Sequence, residues 1–284
     1  MTNFSRRDVL KFSAAGVATL ALSSFAMGAA KAKTPPLGLQ LYSIGGECKK
    51  DFDGALAEVA KMGYEAVQFA GYHQYSQKPK ELKKKLDDLG LKVAGTHIGA
   101  GSFLGDNIQK TIDFHSAIGC KELICPGDGR FTSKDKSKQF AEDFNKAAEI
   151  LKKVGMACGY HNHTKEFSKD GDKTWWDLFA ERTTKDVILE LDVGWAFHAK
   201  QDPVALIKKH PGRTVITHLK SAATGEGTRE IVGEDGRDWA AVNKACCDVG
   251  GTVWHVVEQE RTPKGMTRME ACKLSLESFK KAIS

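Results

Sequence analysis

Four short β-rich runs in the second half of the chain end in ionisable residues. They are Gly159-Tyr160-His161-Asn162-His163, Glu190-Leu191-Asp192-Val193-Gly194-Trp195, Thr217-His218-Leu219-Lys220 and Val257-Glu258-Gln259-Glu260. Singly these carry little, because a strand-closing Asp caps the next loop and a lone His is usually a hydrogen-bonded core residue. In succession they are different. A parallel sheet brings such ends to one depth, and several buried carboxylates and imidazoles side by side are costly without a cation. One divalent metal ion resolves that cost. Mixed imidazole and carboxylate ligands favour Mn2+, Co2+, Zn2+ or Fe2+ over Ca2+, and the lack of Cys among these four candidate strand ends argues against a structural zinc centre. The expected metal ligands are Asp192, His218 and Glu258, with a fourth from His161, which closes its strand, or from Glu166 in the loop beyond.

The elements that must hold these residues follow from periodicity. Runs rich in β-branched and aromatic residues alternate eight times with charged segments whose apolar residues recur at three-to-four spacing. Strands are predicted at Leu37–Ser43, Ala66–Ala70, Lys92–His97, Glu122–Cys125, Met156–His161, Val187–Asp192, Thr214–Leu219 and Thr252–Glu258. Helices are predicted near Asp51–Met62, Pro79–Leu89, Asn107–Ile118, Lys136–Val154, Thr174–Glu181, Pro203–His210, Trp239–Asp248 and Thr267–Ala282. Gly63, Gly90, Gly119, Gly155 and Gly250 fall just beyond helices, where a left-handed residue returns the chain to the next strand. Strict βα alternation demands a parallel sheet covered by helices, and eight units of roughly 30 residues close most naturally into a single (β/α)8 TIM barrel. The rival, a doubly wound open sheet, wants a glycine-rich phosphate turn after its first strand. Gly45-Gly46-Glu47 does not supply one. The loop from Ser221 to Arg237 follows the seventh strand and so falls over the catalytic face of a barrel.

The first 32 residues stand outside that pattern. Ser5-Arg6-Arg7-Asp8-Val9-Leu10-Lys11 precedes a moderately apolar run, Phe12 to Met27, and a small-residue stretch ending near Ala30 or Ala32. That order is a twin-arginine export signal, too short and too diluted to be a membrane anchor. The mature barrel, 33–284, is therefore expected in the periplasm after passing through the twin-arginine export machinery as a folded protein. Of the net charge of +6, Arg6, Arg7 and Lys11 belong to the leader. Lys83, Lys84 and Lys85 lie on the solvated face of a helix, so there is no nucleic-acid footprint. The seven cysteines show no regular spacing and read mainly as small buried hydrophobes in a chain that folds where thiols stay reduced.

As an ordered set, Gly38-Leu39-Gln40-Leu41-Tyr42-Ser43, Tyr160-His161-Asn162-His163, Leu191-Asp192-Val193-Gly194-Trp195, His218-Leu219-Lys220 and Val257-Glu258-Gln259-Glu260 resemble the sugar phosphate isomerase/epimerase family of xylose isomerase-like barrels. The resemblance runs through essentially all of the mature chain. It implies one divalent metal held by the last four strands, with Asp192, His218 and Glu258 carried over. The Glu that epimerase-like members place first is replaced by His161, as in members resembling inosose dehydratase. Trp195 stands where many relatives carry a substrate-binding His. The implied substrate is a sugar or polyol whose carbonyl is polarised and whose neighbouring C–H loses a proton to give an enediolate. His163 and Glu258 are the expected bases, Lys220 steadies developing negative charge, His97 orients a hydroxyl, Glu166 contacts substrate if it does not ligate, and Trp195 offers a stacking face. With one glutamate missing and the chain exported, the balance shifts from epimerisation towards elimination from a neutral sugar, keto-sugar or cyclitol. A periplasmic sugar-binding protein on a non-catalytic barrel is the alternative. A metal-dependent DNA-repair endonuclease would need a richer His/Glu set and is disfavoured by export.

Overall fold

Near-continuous apolar runs are the mark of strands covered on both faces. In the computed structural model, which describes residues 34–284, eight such strands close into a barrel. They are β1 (Leu37–Gln40), β2 (Ala66–Phe69), β3 (Lys92–His97), β4 (Glu122–Cys125), β5 (Ala157–His161), β8 (Ile188–Asp192), β9 (Ile216–Leu219) and β10 (Trp254–Val257), all parallel, with β10 returning to β1. The two remaining strands, β6 (Lys169–Asp170) and β7 (Lys173–Thr174), form a small antiparallel hairpin between β5 and the next helix. Helices α2 (Phe52–Met62), α3 (Pro79–Asp88), α4 (Asn107–Ile118), α5 (Ser137–Lys152), α6 (Trp175–Arg182), α8 (Pro203–Lys209), α9 (Trp239–Ala245) and α10 (Arg268–Ala282) occupy the predicted helical segments. None of the described helices is long and apolar enough to cross a membrane.

Successive strand side chains point to opposite faces, so every second residue enters the barrel. Ala66, Ala94, Ile124, Ile188, Ile216 and Val256 form one apolar cluster inside it. The next inward positions of β2, β8 and β9 are Gln68, Glu190 and His218, all fully buried. A dry plug thus supports a polar layer, and the large outer cluster of strand and helix residues supplies most of the core.

The structure corrects several boundaries. Leu41-Tyr42-Ser43 does not continue β1 but turns into a 3-10 segment, Leu41–Ile44, because the Gln40 side chain accepts the Tyr42 backbone N–H. Two short helices were not predicted: α1 (Gly45–Lys50) and α7 (Val193–His198). Gly63, Gly90, Gly119 and Gly155 do take positive φ, whereas the expected stop at Gly250 falls one residue later, at Gly251 with φ of 69°. The reason is a π-type turn, Cys246–Gly250, that extends α9. All seven cysteines are free and six are buried, Cys247 being half-buried. The leader assigned to residues 1–32 lies outside the described residues.

Candidate active site

The ends of β5, β8, β9 and β10 converge as their register dictates: His161 pairs with Glu190, Asp192 with His218, and Val256 with His218. Asn162 ties two of these ends together, its Oδ1 accepting the Asp192 N–H at 2.9 Å and its Nδ2 donating to the Asp192 carbonyl at 3.2 Å. The last strand is fixed by Glu258 N–H donating to the Leu219 carbonyl and Gln259 N–H to the Ser43 hydroxyl. His161, Asp192, His218 and Glu258 are all buried, and one donor atom from each lies within 4.8 Å of the others.

Asp192 is divided between two tasks. Its Oδ1 caps α7 by accepting Trp195 N–H at 2.7 Å, while Oδ2 is buried and has no hydrogen-bond partner, although His218 Nδ1 lies 4.0 Å and Lys220 Nζ 3.5 Å away. An orphaned carboxylate oxygen facing an imidazole nitrogen and a second carboxylate fits a cation. Glu258 Oε2 accepts from His218 Nδ1 at 3.0 Å and from Lys220 Nζ at 3.1 Å, and Lys220 also reaches Glu260 at 2.7 Å. Lys220 is buried with three carboxylates, its Nζ 4.6 Å above the Trp195 ring. One Trp195 face is therefore taken.

The remaining predicted residues separate. The His163 ring lies 4.9 Å from that of His161 and 5.7 Å from Trp195, at the edge of the group. Glu166 is not among the potential ligands: fully buried, it accepts Tyr160 O–H at 3.2 Å and His163 N–H at 2.8 Å, holding the loop after β5. His97 turns its Nε2 to Glu190 at 2.7 Å and stacks on His218 at 5.2 Å, leaving Nδ1 for any hydroxyl. Glu190, Gln68, Gln40 and Glu260 were not predicted as site residues. The available signal was strand period, because Glu190 lies two residues before Asp192 and shares its inward face.

Burial sets the charge states. It pushes Asp192 up to about 7 against the pull of Lys220, and drives His161 down to about 3 with only partial compensation from Glu190. It also lowers His163. At His218 burial opposes charge, but Glu190, Glu258 and Asp192 win and raise it to about 9. Burial likewise opposes ionisation of Glu258 and Glu190, yet Lys220 and His218 hold Glu258, and His218 and His97 hold Glu190, well below the usual carboxylate range. Lys220 is raised, its three carboxylates outweighing burial.

Metal uptake must displace the protons on His218 and Asp192, which compete up to about pH 9 and about pH 7 respectively. Affinity is therefore expected to rise with pH across that window. Calorimetry at pH 7 in buffers of different ionisation enthalpy should show about one to two protons released per ion; proton uptake would contradict the ligand assignment.

Gly194 marks a close approach. A Cβ there would lie 2.6 Å from the Lys220 carbonyl and 2.7 Å from its Cβ. Gly194→Ala is expected to cost about 1–3 kcal/mol in urea unfolding and to weaken metal binding by shifting Lys220.

Over residues 56–282 the chain matches the model of the xylose isomerase-like TIM barrel. The chain belongs to that family. Residues 3–23 match the twin-arginine translocation signal, so this xylose isomerase-like barrel is exported by that route to the periplasm. An inosose dehydratase of Geobacillus kaustophilus is 23% identical over 252 residues, covering 74% of this chain and 80% of that protein. A sugar phosphate isomerase/epimerase structure from Parabacteroides distasonis superposes with a TM-score of 0.73 at 28% identity, covering 89% of this chain and 96% of that one. An L-ribulose 3-epimerase, with a TM-score of 0.67 at 15% identity and coverage of 88% and 94%, shares the fold.

Proposed function

We propose that this barrel is a divalent-metal-dependent enzyme that acts through an enediolate on a neutral sugar, keto-sugar or cyclitol, by elimination in preference to epimerisation. The observation that carries it is the buried group of His161, Asp192, His218 and Glu258, in which Asp192 Oδ2 has no hydrogen-bond partner. These four would hold the ion, Mn2+, Co2+, Zn2+ or Fe2+ by their donor types. When bound, such an ion polarises a carbonyl and lowers the cost of charge on its oxygen.

The protein's own groups divide the rest. His163, lowered by burial, is neutral at pH 7 and takes the proton from the carbon beside the carbonyl. Lys220 remains charged and steadies the enediolate oxygen. The same His163 then delivers its proton to the departing hydroxyl, so that water is lost and the base is regenerated. Glu258, held ionised, is the second carboxylate-or-imidazole base the site offers for a proton return. Epimerisation by two opposed glutamates is disfavoured because the group around Asp192 Oδ2 combines Glu258 with His161 and holds no second Glu. A neutral substrate is favoured because the one ammonium at the centre, Lys220, is already matched by Asp192, Glu258 and Glu260. The inosose dehydratase relative supports the same direction.

Metal-loaded protein incubated with inososes, 3-keto-glycosides and free ketoses, followed by NMR, tests this. Dehydrated product supports the proposal; epimer without dehydration overturns the preference for elimination. Absence of both turnover and bound metal favours a non-catalytic sugar-binding barrel.

A further inference from the structure

Glu190, two residues before Asp192 on the inward face of β8, belongs to a second group whose donor atoms lie together, His97, His161, Glu190 and His218, beside the group of His161, Asp192, His218 and Glu258. Glu190 is fully buried, and its Oε1 accepts from His97 Nε2 at 2.7 Å and His161 Nδ1 at 3.1 Å, with His218 Nε2 at 3.2 Å. Its Oε2 accepts from Gln68 Nε2 at 2.6 Å. Gln68 Oε1 in turn accepts from His218 Nε2 and from Gln40 Nε2, both at 2.6 Å.

We infer that Glu190 is a positioning residue that decides which ring nitrogen His161 and His218 offer to the metal. Both Glu190 oxygens face only nitrogen atoms, so the carboxylate accepts at each. It therefore requires a proton on His161 Nδ1, leaving Nε2 with its lone pair. It also requires the Gln68 amide to point its NH2 towards Glu190 and its oxygen towards His218. That oxygen holds a proton on His218 Nε2, so the proton that a metal ion displaces is the one on Nδ1, which in the metal-free site donates to Glu258. Both histidines are thus aimed by one charge, and Gln68 carries the direction from one to the other.

The arrangement has a polarity that a single atom reverses. Glu190→Gln keeps its one acceptor oxygen where His97, His161 and His218 nitrogens converge and puts its NH2 against the Gln68 NH2. Two donors cannot face each other in a buried site, so Gln68 flips and presents its NH2 to His218 Nε2. His218 then keeps its lone pair on the inner nitrogen and its proton on Nδ1. The change is nearly isosteric, so shape is not the variable.

This inference rests on the metal reading above, and the two fail differently. Wild-type protein loaded with 113Cd2+ and labelled with 15N-histidine is expected to bind one ion, with cadmium coupled to His161 Nε2 and His218 Nδ1 and with protons on His161 Nδ1 and His218 Nε2. Glu190→Gln is expected to lower Mn2+ or Co2+ affinity about 10–100-fold and to move the His218 proton to Nδ1. Gln68→Leu, which removes the 2.6 Å acceptor of His218 Nε2 and leaves only Glu190 Oε1 at 3.2 Å, should disturb His218 and leave His161 unchanged. Coupling through the opposite nitrogens, a second ion held by Glu190, or wild-type affinity in Glu190→Gln would each overturn the inference. No ion bound to the wild type would instead remove the reading beneath it. If the variants do not fold, the wild-type couplings alone decide.

Discussion

Alanine at Asp192 or at His218 is expected to abolish metal binding while the barrel remains folded, with turnover falling about 10^3-fold or more because several kcal/mol of transition-state charge stabilisation leave with the ion. The two variants should nevertheless differ when metal-free. His218 sits between Glu190 and Glu258, and removing it takes the main cation from buried Glu190 and leaves Glu258 with Lys220 alone. A loss of about 3–5 kcal/mol is expected for breaking such a buried pairing from one side. Asp192→Ala does the reverse: it removes a carboxylate whose burial disfavours its charge and whose Oδ2 has no partner. What it forfeits is the cap on Trp195 N–H, worth about 1 kcal/mol. Asp192→Asn keeps an oxygen for that cap and should be close to wild type in stability. Urea unfolding with and without metal, beside metal analysis of the purified variants, checks both halves. Bound metal retained in both alanine variants would contradict the assignment, and equal metal-free stabilities would contradict the charge balance described above.

The sequence was informative where a local rule was enough. Eight alternations and glycine stops at Gly63, Gly90, Gly119 and Gly155 specify a barrel because helix termination and strand period are local. Ligating residue types at four successive strand ends specify a common location, because parallel register brings those ends together. Direction was not legible. Nothing in the residues around His97 says that its Nε2 turns inward to Glu190, or that Glu166 spends its carboxylate on Tyr160 and the His163 backbone. The Gln40–Gln68–Glu190 chain joins β1, β2 and β8 across the barrel interior, contacts separated by 28 and 122 positions in the sequence. Only closure of the barrel creates them. Likewise α7 is specified by Asp192 acting as its own N-cap, a role masked by the same residue's value as a ligand.

Lys220→Met isolates the cation that the ionised carboxylates need when no metal is present. The methionine keeps the length of the stem that packs beside Trp195, so the lost quantity is charge. In the metal-free protein Asp192, Glu258 and Glu260 lose their shared partner in a site where Lys220 itself is almost wholly buried, and stability is expected to fall by about 3–5 kcal/mol. Added divalent metal should restore much of that loss, since it places positive charge among two of the same carboxylates. Turnover should not recover in step. If Lys220 stabilises the enediolate oxygen, kcat of the metal-saturated variant falls about 10^2–10^3-fold with a smaller change in KM, because that charge is absent from the neutral ground state. Thermal unfolding across a metal titration, paired with steady-state kinetics at saturating metal, separates the two roles. Full kinetic recovery on adding metal would show that Lys220 serves only to hold the unmetallated site together, and would leave His163 and Glu258 as the protein groups acting on the reacting atoms.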